Sequence, residues 1–299
     1  MTTEKRKGST EMNEPSAPTV RLTGGVELPR LGLGTWPMSG DKAERAVRSA
    51  LEHGYRSIDT AAAYGNEKAV GRAIASSGLP REDVVVTTKL GNSEHGYGTA
   101  LRACDRSLDE LGLDHIDLYL IHWPMPSVNK YVETWRALID LREQGRVRAI
   151  GVSNFKPAHI DRLVAETGVT PAVNQIELNP YTNRPAEREY HRAQGIVTES
   201  WSPLGPRTDL LREPVVTELA EKHGKQPGQV VLRWHMDLGL VATPKSSDAQ
   251  RIAANIDVFD FSLSADEVTA ITALDTGLRT PVDSDKPIGA PPAGIRTTT

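Results

Sequence analysis

Cysteine is all but missing from the chain. A single thiol, Cys104, in 299 residues excludes an internal disulfide framework and suits a reducing compartment, so a cytoplasmic location is expected. Net charge is also small. A formal balance of −4 gives no global field to draw in nucleic acid or anionic lipid, so neither partner is expected and any anion site must be local. No apolar run approaches the roughly 20 residues that span a bilayer. The stretch Met1 to Thr19 is rich in Lys, Glu, Ser, Thr and Pro and has no signal-like apolar core, so residues 1–17 are expected as a flexible tail, with Lys5-Arg6-Lys7 solvated. Metal chemistry finds no foothold either, because His53, His95, His115, His159, His191, His223 and His235 are scattered at no known ligand spacing.

What is present is a strand and helix rhythm. Val20-Arg21-Leu22-Thr23-Gly24-Gly25-Val26-Glu27-Leu28-Pro29 places two short strand-like runs around Gly-Gly, which predicts a hairpin. Apolar residues then recur at three- and four-residue spacing over 43–52, 66–76, 99–111, 131–143, 157–165, 187–194, 215–222, 228–237 and 265–274, the helical period. Between most of these lie short apolar runs at 57–59, 84–89, 116–122, 147–152, 173–177, 196–201, 240–244 and 256–259. Several are nearly continuous in Val and Ile, as expected of parallel strands buried on both faces. An open doubly wound sheet would want a glycine-rich fingerprint after its first strand, and Gly32-Leu33-Gly34-Thr35-Trp36-Pro37 has no third glycine. The better fit is α/β, a (β/α)8 TIM barrel with an N-terminal β-hairpin, over residues 18–280. Residues 281–299, with Pro287, Pro291 and Pro292 and no periodicity, are expected as a loop-like tail that could cover one barrel face.

In such a barrel the active site lies at the C-terminal ends of the strands, where Asp59, Lys89 and His122 fall, with Tyr64 in the loop after the first of them. Reducing a carbonyl requires a hydride on carbon and a proton on oxygen, and a tyrosine can supply that proton if its pKa is brought down from about 10. An ammonium about 4 Å away contributes on the order of 4 kcal/mol at an effective dielectric near 20, roughly three pKa units before desolvation offsets part of it. Lys89 is that cation, Asp59 would hold it charged and aimed, and His122 can hydrogen-bond the substrate oxygen. Trp36, Trp123 and Tyr64 would form a mainly apolar mouth that favours aldehydes and ketones. Lys245, after a strand, and Arg251, one helical turn beyond a helix opening near Asp248, make a local cationic pocket for a phosphate-bearing cofactor.

The runs Leu31 to Trp36, Gly54 to Gly71, Thr88-Lys89-Leu90, Ile121-His122-Trp123-Pro124, Ile150 to Phe155, Asn174-Gln175-Ile176-Glu177 and Pro244-Lys245-Ser246 together resemble the aldo-keto reductase superfamily. They stand in order over about residues 20–278. The resemblance implies that Tyr64 is the general acid and that Asp59, Lys89 and His122 complete a tetrad. Trp36, Tyr64, His122 and Trp123 would then meet the substrate. It implies that Ser153, Asn154 and Gln175 bond the nicotinamide carboxamide, that Trp201 stacks on the ring, and that Ser202 and Leu204 also touch the cofactor. Lys245, Ser246 and Arg251 resemble the site for the 2′-phosphate of NADPH, with Asn255 near the adenine, so NADP is preferred over NAD. Ala254 departs from the Glu or Gln of many relatives, which weakens the expected adenosine clamp. Trp in Glu199-Ser200-Trp201-Ser202-Pro203-Leu204-Gly205 resembles the bacterial branch that includes the diketogluconate reductases, and tilts the expected substrate towards keto-sugars or small dicarbonyls. A monomeric NADPH-dependent carbonyl reductase is the leading expectation. An NADPH-binding regulatory subunit with little turnover is the alternative, and alcohol oxidation in the cell is a weaker one.

Overall fold

The computed structural model of the chain describes residues 17–279 and 281–286. Strands β1 (Thr19–Arg21) and β2 (Glu27–Pro29) pair antiparallel as the expected hairpin. Its turn puts Gly24 at φ +102° and Gly25 at φ +85°, backbone that glycine adopts without steric cost. Of the expected N-terminal tail only Ala17 is among the described residues, and it is buried in the main core.

Eight parallel strands follow: β3 (Leu33–Gly34), β4 (Ser57–Asp59), β5 (Val85–Leu90), β6 (Ile116–Ile121), β7 (Val147–Ser153), β8 (Val173–Glu177), β9 (Val197–Trp201) and β10 (Val241–Thr243), each bonded to the next in sequence. The ring closes where Ala242 N donates to the Arg30 carbonyl at 2.9 Å, Gly32 N to that of Ala242 at 3.0 Å and Gly34 N to that of Pro244 at 3.1 Å. A Cβ on Gly34 would stand 2.7 Å from the Thr243 carbonyl oxygen of β10, so glycine there lets the seam shut, while one on Gly32 would stand 2.8 Å from Ser57 Oγ of β4.

Seven of the eight expected strands are present. The run at 256–259 is not one: Ile256 ends α9 (Ala249–Ile256), and Val258 turns under it into the core. Its place is taken by Leu33–Gly34, too short and too poor in β-branched residues to read as a barrel strand.

The other helices are α1 (Gly40–Glu52), α2 (Glu67–Ala75), α3 (Tyr97–Leu111), α4 (Tyr131–Glu143), α5 (Pro157–Thr167), α6 (Pro185–Gln194), α7 (Pro214–His223), α8 (Pro227–Asp237) and α10 (Ala265–Thr272). In α1 the buried set is Ala43, Ala46, Val47, Ala50 and Leu51, the spacing of one apolar stripe against the barrel.

Leu22, Val26 and Leu28 of the hairpin pack with Leu118, Leu120, Ala149, Val173 and Val241 of the strands. The hairpin therefore seals the N-terminal end of the barrel with apolar side chains and leaves the C-terminal ends for chemistry. Over that open face runs the segment 281–286, fastened by Lys156 Nζ to Asp283 Oδ1 at 2.7 Å and His159 Nε2 to Asp285 Oδ1 at 2.9 Å. Val282 N also donates to Glu177 Oε2 at 3.4 Å. Residue 280 and residues 287–299 lie outside the described residues. No helix among the described residues is long and apolar enough to cross a membrane, and none of their His, Cys, Asp and Glu side chains group to hold a metal ion.

Helices α2 and α3 cross at Gly71, where an added Cβ would stand 2.0 Å from the Leu111 carbonyl oxygen. Helix propensity favours alanine over glycine by about 1 kcal/mol, whereas overpacking against backbone costs about 1–3 kcal/mol or more. An approach of 2.0 Å to backbone puts the cost at the upper end, so Gly71→Ala is expected to lower the urea midpoint at unchanged slope, by a net ~2 kcal/mol. A variant as stable as the parent would show that the helices do not approach this closely.

Candidate active site

Neighbouring strands bring the tetrad candidates together. Asp59 ends β4, Lys89 lies near the end of β5 and His122 follows β6 directly. Tyr64 closes a 3-10 turn (Ala62–Tyr64) between β4 and α2. That turn is fastened by Asn66, whose Oδ1 accepts from Thr60 Oγ1 at 2.5 Å and whose Nδ2 donates to the Met38 carbonyl at 2.8 Å. The Thr35 amide and hydroxyl both donate to the Asp59 carbonyl at 3.0 Å.

Lys89 is fully buried, 0% exposed. Its ammonium donates to Asp59 Oδ1 at 2.7 Å, Asp59 Oδ2 at 2.8 Å and the Thr60 carbonyl at 2.8 Å, which uses all three hydrogens. Burial alone would strip its proton, but the Asp59 carboxylate beside it reverses that and holds the amine above its ordinary range.

Tyr64 lies with its ring centroid 5.2 Å from Lys89 Nζ and 5.7 Å from the His122 ring, edge-on. Burial raises its phenol pKa. Lys89 lowers it in part, and Asp59 and Glu199 raise it again. The net direction is up, opposite to the expected acidification, because the barrel that supplies the cation also removes water and brings two carboxyl groups. Tyr64 is thus a protonated phenol facing a cation. Burial, and then the Lys89 charge, push His122 down to about 3, so its imidazole is neutral and carries one N–H.

The next strand ends hold the expected carboxamide contacts. Ser153 Oγ donates to the Gln175 carbonyl at 2.9 Å. Asn154, in the left-handed region at φ +64°, donates to the His122 carbonyl and to Ser153 Oγ, each at 3.0 Å. Its Oδ1 accepts from the indole N–H of the half-buried Trp201 at 2.9 Å. Gln175 Nε2 points into the barrel and donates to Asp59 Oδ2 at 2.8 Å and Glu199 Oε2 at 3.0 Å. The Asp59 carboxylate fixes this amide's orientation, since the amide oxygen would be repelled there. Gln175 Oε1 therefore faces away, and it accepts no hydrogen bond from the described residues.

Ser202, at φ +54°, passes its carbonyl to the Gly205 amide at 3.1 Å, and Leu204 packs half-buried against the core. Beyond β10, Lys245 is exposed and Ser246 buried. Burial, then the nearby Lys42 and Arg251, hold the Lys245 amine below its ordinary value. Among the described residues none of these three cations makes an ion pair, so the cluster is a place where an anion would relieve repulsion. The opening of α9 is partly used already: the Asp248 side chain caps it by accepting from Arg251 N at 2.9 Å. Asn255 is buried on the same helix, beside Gly228.

Trp36 is 45% exposed on the loop after β3, and Trp123 is half-buried beside His122 with ring centroids 6.5 Å apart. A cleft of about 360 Å³ adjoins the site, lined by Asn154, Lys156, Glu177, Arg184, Trp201 and the segment from Pro281 to Ser284 among others.

Sequence reasoning passed over Thr60, Asn66 and Glu199. Thr60 and Asn66 act through a carbonyl and a loop clamp that only the fold reveals. Glu199 had a signal: Val197, Glu199 and Trp201 alternate onto one strand face, so a carboxyl between two inward residues had to enter the barrel.

The eight-stranded parallel barrel thus gathers a buried amine, a carboxylate, a phenol and a neutral imidazole at its strand tips, groups able to hold and move a proton. The family model described as "Aldo/keto reductase family" matches residues 30–276, and the chain belongs to that family, which makes it an oxidoreductase. It is 54% identical to an aldo-keto reductase of Mycolicibacterium smegmatis over 88% of this chain and 95% of that protein. It is 49% identical to the 2,5-diketo-D-gluconic acid reductase B of a Corynebacterium strain, over the same shares of the two chains. Among solved structures, a variant of Gox0644 in complex with NADPH is 43% identical, with a TM-score of 0.86 over 91% of this chain and 98% of that one.

Removing one partner of a buried ion pair leaves an uncompensated charge, at a cost of about 3–5 kcal/mol. Lys89→Met should therefore destabilise the fold by about that amount, and adding Asp59→Asn should restore more than half of it. Chemical denaturation of the parent, both single variants and the double variant measures the coupling. Additive losses would mean the pair is not held as a unit.

Proposed function

We propose that this chain reduces aldehydes and ketones to alcohols with NADPH, and that Tyr64 delivers the proton. One observation carries the reading: a phenol kept protonated in a barrel mouth, 5.2 Å by its ring from a buried ammonium. His122, neutral and with one N–H, donates to the substrate oxygen and fixes the carbonyl against Tyr64. As negative charge grows on that oxygen, the Tyr64 O–H transfers its proton there and leaves a phenolate. Lys89, held by Asp59 and the Thr60 carbonyl, stabilises that phenolate with its charge. Asp59 keeps Lys89 charged and immobile.

The residues present suit the cofactor. Lys42, Lys245 and Arg251 form an unpaired cationic cluster for a 2′-phosphate, Gln175 Oε1 is an acceptor for a carboxamide N–H, and the Trp201 face suits an electron-poor ring. Ser153, Asn154, Ser202, Leu204, Ser246 and Asn255 would complete its contacts. Bound NADPH supplies the hydride that the carbonyl carbon receives.

Substrate choice falls to Trp36, Trp123 and the cleft walled by residues 281–286. Lys156, Glu177, Arg184 and Ser284 line that cleft and suit a polar, oxygen-rich molecule. Together with the named activity of the Corynebacterium relative, this supports keto-sugars or small dicarbonyls. Every residue assigned to the site, the wall at 281–286 included, comes from one chain, which supports a monomer. The buried free thiol of Cys104 agrees with a cytoplasmic enzyme.

Consumption of NADPH with a panel of aldehydes, keto-sugars and dicarbonyls tests the reading. Tyr64→Phe is expected to cut kcat by about 10²- to 10⁴-fold, the range of general acid catalysis, with cofactor binding retained. NADPH binding without reduction faster than in that variant would overturn it. Lys245→Ala and Arg251→Ala should each raise KM for NADPH by about tenfold, one charge-assisted hydrogen bond, and leave KM for NADH unchanged. Equal losses for the two cofactors would remove the 2′-phosphate assignment.

A further inference from the structure

Glu199 is fully buried on β9 and takes no part in the proton transfer proposed above. Its Oε2 accepts from Gln175 Nε2 at 3.0 Å, and the same nitrogen donates to Asp59 Oδ2 at 2.8 Å. Its Oε1 is buried with no hydrogen-bond partner. One amide thus bridges two carboxyl groups, and only one of them has a cation: Lys89 spends every hydrogen on Asp59 and Thr60. A buried carboxylate without its own counter-charge is far more costly than a buried carboxylic acid. Two carboxyl groups tied this closely do not readily ionise together. The groups that act on Glu199 are Asp59 from β4, Lys89 from β5 and Gln175 from β8, and Glu199 acts in turn on Tyr64 in the turn after β4.

Building on the reading of Tyr64 as proton donor, we propose that Glu199 is a positioning residue carried as the neutral acid, whose ionisation places a second negative charge beside Asp59 and opposes phenolate formation at Tyr64. While neutral, it leaves the Lys89 and Asp59 charges balanced and completes the grip on the Gln175 amide. Once ionised, it gives the barrel centre a net negative charge, and the phenol must give up its proton against that field. Burial first, and Asp59 second, raise the Glu199 carboxyl to about 8, so the change falls within a measurable range. Its charge raises the pKa of Tyr64 and Lys89 alike.

The isosteric variant Glu199→Gln keeps the shape and cannot ionise. In the parent, kcat for carbonyl reduction should fall about tenfold between pH 6.5 and pH 9, as a group with pKa near 8 loses its proton. In Glu199→Gln that fall should vanish, with the pH dependence of KM unaltered. An equal fall in both proteins overturns the proposal.

Two measurements need no substrate. Infrared difference spectra of the parent should show a protonated carboxyl band at pH 6.5 that titrates away near pH 8 and is missing from Glu199→Gln. Absence of the band in the parent sinks the idea even if the variant does not fold. The second is stability against pH. The folded pKa is raised, so the stabilisation of the neutral acid is complete below the ordinary 4.5 and is lost as pH rises through about 8. The melting temperature of Glu199→Gln should gain on that of the parent across that window and not beyond it, whereas a purely structural contact would give a constant gap. If no carbonyl is reduced at all, the proposed function fails by the Tyr64→Phe comparison. The infrared and stability measurements still decide the state of Glu199.

Discussion

A lysine ammonium with no exposure to water sits at the centre of this barrel, and the rest of the structure is arranged to make that tolerable. Taking a cation out of water is expensive, and only near-ideal geometry with every hydrogen used repays it. Asp59 and the Thr60 carbonyl provide that geometry on β4 and its following loop, one strand over from Lys89. The requirement pins the β4 to β5 register, since a slip of one residue would turn Lys89 out towards the helices. Thr35 then holds the Asp59 backbone from β3's side, and Asn66 holds the loop on which Tyr64 stands. The apolar plug from the hairpin at the opposite end keeps water from reaching the pair from below.

Two groups of positive charge in this chain have opposite fates, and the contrast separates chemistry from binding. Lys89 is neutralised internally, so its field acts over a few ångströms on Tyr64 and His122 and hardly beyond. Lys42, Lys245 and Arg251 make no ion pair among the described residues, and burial first, then repulsion from the other two, lowers the Lys245 pKa. A matched charge inside a dry cavity tunes its neighbours' protons. An unmatched cluster at the rim is stabilised by whatever anion arrives. Elements on both sides of the seam deliver the second cluster: Lys42 stands on α1 after β3, Lys245 just after β10 and Arg251 on α9.

The sequence made the repeating architecture legible, because β5, β6 and β7 are continuous apolar runs and the helices carry clear stripes. Asp59, Lys89 and His122 were readable for a related reason: each polar residue follows an apolar strand at the end where such barrels work. The first barrel strand was hidden, since Leu33–Gly34 owes its place to a glycine, Gly34, that lets β10 approach, a constraint visible only across the ring. Ile256 to Phe259 misled through composition, being apolar because it caps and underlies α9. The direction of the Tyr64 shift was misjudged because the attraction of Lys89 can be reckoned from a sequence, whereas the loss of water and the approach of Glu199 cannot.

The segment 281–286 is held more loosely than the centre. Its fastening uses one buried side chain, His159, and a second pair nearer the surface: Lys156 and Asp283 are 38% and 36% exposed. Pairs so placed contribute only about 0–1 kcal/mol each, so the segment can be re-sequenced or displaced at little cost to the fold. Yet it forms one wall of the cleft beside Trp201 and Asn154. The buried network around Lys89 has no such freedom, because each of its members satisfies a group that would otherwise be stranded without water. On the proposed function, the wall at 281–286 is thus energetically detachable from the network around Lys89, and substrate choice can change there without disturbing that network.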